Sequence, residues 1–164
     1  VLDAAKNIHE DSPEWLEQNM RSTRNFIRKW GHFCLHDAYM KPIIPPKYNI
    51  RFNVTNTTID KLHMLEPWCD NMDTDIPADE LKKYIEREQK NTIIKLEPKF
   101  NYNRNSDITV NIDCNTFTNE DFINLSRMSQ IIKDSGAVGE FNLGNLFINI
   151  VRIKEYTDNL IKLK

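Results

Sequence analysis

Lys41-Pro42-Ile43-Ile44-Pro45-Pro46-Lys47-Tyr48-Asn49-Ile50 separates two kinds of patterning. Its prolines exclude helix, because each removes an N–H donor and clashes with the preceding turn. Each also drives the residue before it towards extended geometry. Upstream, apolar residues recur at helical spacing; downstream, from Tyr48, they alternate as in a strand. The stretch therefore reads as a stiff joint. It predicts a helical arm over 1–41, a proline-rich joint over 42–47 and an α/β body over 48–164, all in one compact domain.

Upstream of the joint, Asp11-Ser12-Pro13-Glu14 reads as a helix start, with a capping side chain, a first-turn proline and an acid at the positive helix end. Leu16, Met20, Thr23, Ile27, Trp30 and Cys34 follow as one buried stripe, predicting helix to about Met40. Gly31 weakens that helix by about 1 kcal/mol relative to Ala and predicts a kink or two helices.

Downstream, Tyr48, Ile50, Phe52 and Val54 predict a strand with one wet face. Thr57 or Thr58 caps a short helix that Pro67 stops, and Trp68 to Asp75 reads as an acidic loop. Pro77 opens a helix carrying Leu81, Tyr84 and Ile85. Thr92 to Leu96 is β-prone, and Glu97 to Asp107 reads as an exposed loop. Ile108, Val110, Ile112 and Cys114 alternate as a second strand. Thr118 and Asp121 form a capping box for a helix through Ile132, with Gly136 beyond its end. Val138–Phe141 and Leu146–Ile153 flank a hairpin loop at 142–145, and Tyr156 to Leu163 suggests a terminal helix. The fold class is α+β (or α/β): a mixed four- to five-stranded sheet with packed helices, preceded by the helical arm. Ile108, Val110, Ile112, Leu125, Ile132, Ile148 and Ile150 are the expected core.

The 164 residues are 40% hydrophobic and 28% charged, a globular composition. A net charge of −2 gives no general attraction to nucleic acid or acidic membranes. No apolar run reaches the roughly 20 residues of a membrane span, and no signal-peptide pattern is read. The start at Val1 rather than Met reads as a processed product or an excised domain. Cys34, Cys69 and Cys114 are an odd, widely spaced set, not a disulfide framework; free thiols in an intracellular, reducing compartment are expected. Asn and Ile each make up about one residue in nine. That usage points to an AT-rich genome such as that of a large DNA virus or phage. The sequons at Asn53, Asn56 and Asn124 read as chance products of the same bias.

Four constellations carry chemistry. His32 and His36, at i and i+4, would share a helix face able to chelate a metal, or would cap the helix end. Asp73-Thr74-Asp75 is similar to the DxD of nucleotide-sugar glycosyltransferases, whose carboxylates hold a divalent ion against a leaving diphosphate; otherwise Asp75 caps the next helix. Asp79 with Glu97-Pro98-Lys99 resembles the D…ExK pattern of metal-dependent nucleases. Arg21, Arg24 and Arg28 share one helix face suited to phosphate or carboxylate, or to pairing with Glu14 and Glu17 one turn back.

Two functions follow. The leading expectation is a non-catalytic interaction or assembly domain without a cofactor. It presents Arg21, Arg24, Arg28, Phe26 and Phe33 to a protein partner or a second copy; the Arg face is also the patch suited to nucleic acid. The alternative is a divalent-metal-dependent enzyme on a phosphate-containing substrate, with Asp73, Asp75, His32 and His36 as candidate ligands.

Overall fold

The structure, a computed structural model, describes residues 12–89 and 106–155. The expectations for Thr92–Leu96, for Glu97-Pro98-Lys99 and for a helix from Tyr156 lie outside those residues. The described chain is an α+β fold. Its elements are α1 (Pro13–Trp30), β1 (Leu35–His36), β2 (Pro42–Ile43), β3 (Ile50–Thr55), α2 (Ile59–Leu65), β4 (Asn71–Thr74) and α3 (Ala78–Gln89). They continue with β5 (Ile108–Asp113), α4 (Asn119–Ser126), α5 (Met128–Ser135), β6 (Gly139–Leu143) and β7 (Leu146–Ile150).

The main sheet has strand order β4-β3-β5-β7-β6. β3 lies parallel to β4 and β5, while β7 runs antiparallel to both β5 and β6. Alternation assigns each face. Phe52, Val54, Ile108, Val110, Ile112, Ile148 and Ile150 are buried in one cluster with Leu62, Leu65, Leu125, Met128 and Ile132 from the helices. The opposite face is polar, and Asn53 Nδ2 donates to Asn111 Oδ1 at 2.8 Å across β3 and β5. Parallel strands are usually covered on both faces. Here the polar alternation lets water serve as the second layer.

Three sequence expectations are corrected. Helix does not run to Met40: Gly31 (φ 78) caps α1 in the left-handed conformation, its N–H donating to Ile27 O at 2.6 Å. Leu35–His36 and Pro42–Ile43 then pair as a two-stranded ribbon. His32 and His36 therefore share no helix face. The acidic loop contains an edge strand, β4, which pairs with β3 in parallel register. The expected long helix to Ile132 is two, broken at Arg127.

The stripe on α1 is also corrected. Ile27 is buried, but Leu16 and Met20 are exposed. The joint meets the helix end instead: Lys47 Nζ donates to Arg28 O at 3.3 Å and Lys29 O at 3.0 Å, answering carbonyls at the negative end of the helix.

The hairpin is locked onto α4 by Asp121. Thr118 caps α4 and exchanges hydrogen bonds with Asp121 as expected. Asp121 also accepts from Asn145 N at 2.9 Å and Asn145 Nδ2 at 3.0 Å. Burial pushes this carboxyl up, but the Asn145 and Thr118 donors outweigh it and bring it down to about 2. Gly144 (φ 62) leaves the room: a Cβ there would sit 2.3 Å from Asp121 Oδ1. Gly144→Ala is expected to cost about 1–3 kcal/mol in urea unfolding. Gly136→Ala, with a similar φ but open space around it, should cost about 1 kcal/mol. The folded carboxyl lies below its ordinary 3.8, so the Asp121 contribution is full above about pH 4 and fades towards pH 2. Asp121→Asn should flatten the acid limb of a stability-against-pH curve across that window.

Candidate functional site

The arm meets the body through its basic face. Arg28 donates through Nε to Glu66 Oε2 at 2.8 Å and through NH2 to Tyr84 OH and Glu88 Oε2, both at 3.1 Å. Its NH2 also pairs with Glu66, and its NH1 donates to Asn25 Oδ1 at 2.8 Å. Tyr84 OH donates to Glu66 Oε2 at 3.0 Å. One turn earlier, Arg24 grips Glu88 with two bonds of 2.7 Å. Glu66 sits on the 3₁₀ turn Glu66–Trp68 that follows α2, and Tyr84 and Glu88 sit on α3. Three separate segments therefore converge on one buried cluster of two arginines and two carboxylates.

The electrostatics follow from that arrangement. Burial opposes the Arg28 charge, but Glu66 and Glu88 over-compensate and hold it above the ordinary arginine range. Burial pushes Tyr84 upward, and neighbouring Glu66 adds to it, so the phenol stays protonated as a donor. Burial raises Glu88, yet hydrogen bonds and charge from Arg24 and Arg28 leave it below its usual value. His63, its ring tilted against Tyr84 at 5.0 Å, is pushed down by burial and by the charge of Arg24.

Arg21, Arg24 and Arg28 are thus brought together as the sequence places them. Arg21 pairs with Glu17 one turn back, while Arg24 and Arg28 face carboxylates of the same chain. Phe26 lies on the exposed side of α1, 6.4 Å from Trp30. Phe33 stands edge-on to Trp68 at 4.8 Å, and Trp68 edge-on to Phe122 at 5.9 Å. The chain leading into the ribbon is thereby anchored to the body through edge-to-face ring contacts.

The ribbon's far end is different. Asp37 Oδ1 accepts from Tyr39 N at 2.8 Å and Lys41 N at 2.9 Å, and Asp37 N donates to Lys41 O at 2.9 Å. Met40 takes positive φ (61) to close the turn. This fixed turn holds Tyr39 and Met40 outward at 84% and 75% exposure, with Ile44 at 72%. Periodicity on a helix could not reveal it; Asp37 four residues before Lys41 was the available signal.

The remaining candidates fall into two places. His32 Nδ1 lies 2.6 Å from Phe33 O, and His36 Nε2 lies 4.0 Å from Cys34 Sγ. Asp73 and Asp75 instead line one open cleft of about 610 Å³ with Arg51, Asn53, Thr55, Thr74 and Thr109. Arg51 donates through Nε to Asp73 Oδ2 at 2.9 Å. Asp75 accepts from Asn56 N at 2.6 Å and Thr57 N at 2.9 Å, and those backbone donors, Thr57 first, hold its carboxyl low. Among the described residues, no group of three or more His, Cys, Asp and Glu side chains is placed to hold a metal ion. No described helix is long and apolar enough to cross a membrane. Comparison with protein-family models, curated proteins and solved structures finds no match.

Replacing Arg28 by Met leaves the buried Glu66 carboxylate without its cation, while Glu88 keeps Arg24, and is expected to cost about 3–5 kcal/mol in urea unfolding. Arg87→Ala, which removes an exposed partner of Glu17, should leave the midpoint nearly unchanged.

Proposed function

We propose that this chain is an interaction or assembly module that presents its ribbon and the outward side of α1 to a protein partner. The observation that carries the reading is the ribbon tip, where Asp37 fixes a turn that holds Tyr39 and Met40 in water. Apolar surface gains about 25 cal/mol per Å² when another surface covers it, and an ordered turn loses little entropy on docking. Trp15, Leu16 and Met20 on α1 form a second exposed apolar set. The arginines assigned to partner contact have a second role in this reading: they hold α1 so that its apolar side faces out. The free thiols of Cys34 and Cys114 support a reducing compartment.

A photo-crosslinking residue at position 39, installed in the producing cell, tests this directly. A discrete adduct that disappears with Met40→Asp/Ile44→Asp is expected; no adduct contradicts the proposal.

One observation favours the enzymatic alternative: Asp73 and Asp75 share a cleft, and Asp73 Oδ1 is buried without a hydrogen-bond partner. On that reading Mg²⁺ or Mn²⁺ binds the folded state and raises the thermal midpoint. A rise abolished by Asp73→Asn supports it, and an unchanged midpoint at millimolar metal counts against it.

A further inference from the structure

The two edges of the main sheet are finished differently. β4 has four residues, with Asn71 and Met72 buried. β6 has five, and its Glu140 and Asn142 are exposed. Exposed edges are normally blunted by short strands, Pro, charged side chains (Lys above all) or a bulge, because their unpaired backbone groups recruit another strand; among the described residues β6 is such an edge, and Glu140 is its one charge. Gly139-Glu140-Phe141-Asn142-Leu143 has neither Pro nor Lys, and its ladder with β7 runs without a bulge.

The direction of its backbone groups follows from the ladder. Val151 N donates to Asp107 O at 2.9 Å, so odd-numbered residues at this end of β7 turn their backbone groups towards β5. Leu146, Ile148 and Ile150 therefore bond to β6 through their partners Leu143, Phe141 and Gly139. Glu140 and Asn142 are left with N–H and C=O pointing away from the sheet. On the helix-covered face beside that edge, Phe141 and Leu143 are half-buried against the core.

We propose that β6 is a self-association strand: two copies of this chain pair antiparallel through it, about a two-fold axis at Phe141. This surface is separate from the ribbon and does not rest on the ribbon's role. In that register Glu140 of each copy lies opposite Asn142 of the other as a hydrogen-bonded pair, using the outward N–H and C=O of both residues. Phe141 meets its own copy at the non-hydrogen-bonded position, where side chains approach most closely. The two apolar faces then continue across the junction. A register centred on Glu140 sets like charges opposite each other, and one centred on Asn142 runs Glu140 against Gly144 of the hairpin turn, so only the one centred on Phe141 pairs all five residues of β6 without repulsion. Such a contact is isologous and closes at two copies.

Light scattering across a concentration series tests this on wild type, Asn142→Glu and Glu140→Lys/Asn142→Glu. Both side chains are exposed, so the fold is retained and circular dichroism verifies it. A wild-type dimer is expected. Asn142→Glu creates two Glu–Glu pairs and should weaken association about tenfold. The double variant replaces them with Lys–Glu pairs and should restore it. A wild-type monomer at millimolar concentration overturns the proposal, even if an extended peptide adds to the same edge. A dimer insensitive to Asn142→Glu, or one lost instead with Met40→Asp/Ile44→Asp, overturns it as well.

Discussion

The Arg28 guanidinium, buried between Glu66 and Glu88, is the contact on which the placement of the arm depends. A buried ion is tolerated only when its charge and its donors are matched, and a loss on either side strands an ion in low dielectric. Here the match uses α1, the turn after α2, and α3 together. Because the partners are fixed points on the body, the pairing sets the rotation of α1 about its axis. The basic face turns inward, and Leu16 and Met20 of the apolar stripe turn out while Ile27 is buried. Lys47 then closes the helix end from the joint, so the direction of the arm and the entry into β3 are fixed by one neighbourhood.

That orientation connects fold to function. An amphipathic helix normally gives its apolar stripe to its own core. α1 gives up Ile27 and keeps Leu16 and Met20 in water. The body does not need them, since the sheet and its helices already close a core from Tyr48 to Ile150. Among the described residues, the outward side of the arm, the ribbon tip and the β6 edge are therefore surfaces the fold leaves unspent. The polar sheet face is of another kind, with Asn53 bonded to Asn111 and Arg51 to Asp73 Oδ2 across neighbouring strands.

Much of the body was legible because its signals are local. Ile108, Val110 and Ile112 alternate without interruption, Thr118 and Asp121 cap a helix, and Gly136 ends one; all are found so, and every expected core residue is buried. What failed depends on contacts distant in sequence. Arg28 meets Glu66 and Glu88, 38 and 60 residues on, and no period reports such a pair. β4 reads as a loop because Asn71 and Asp73 are poor strand formers that succeed only by pairing with β3. Asp73 and Asp75 were found as a pair from spacing, but their cleft needed the sheet, and the partner of Asp73 was Arg51 on the neighbouring strand. Gly31 was noticed as a weak point in a helix, whereas its left-handed φ makes it the helix end.

Amide hydrogen exchange along α1 tests most directly whether buried ions, rather than an apolar stripe, hold the arm. The account predicts that Glu88→Gln strips protection from the α1 amides while the β5 and β7 amides stay protected, and that Leu16→Asp/Met20→Asp leaves α1 protection unchanged. Loss of α1 protection in Leu16→Asp/Met20→Asp, with Glu88→Gln indistinguishable from wild type, would contradict it.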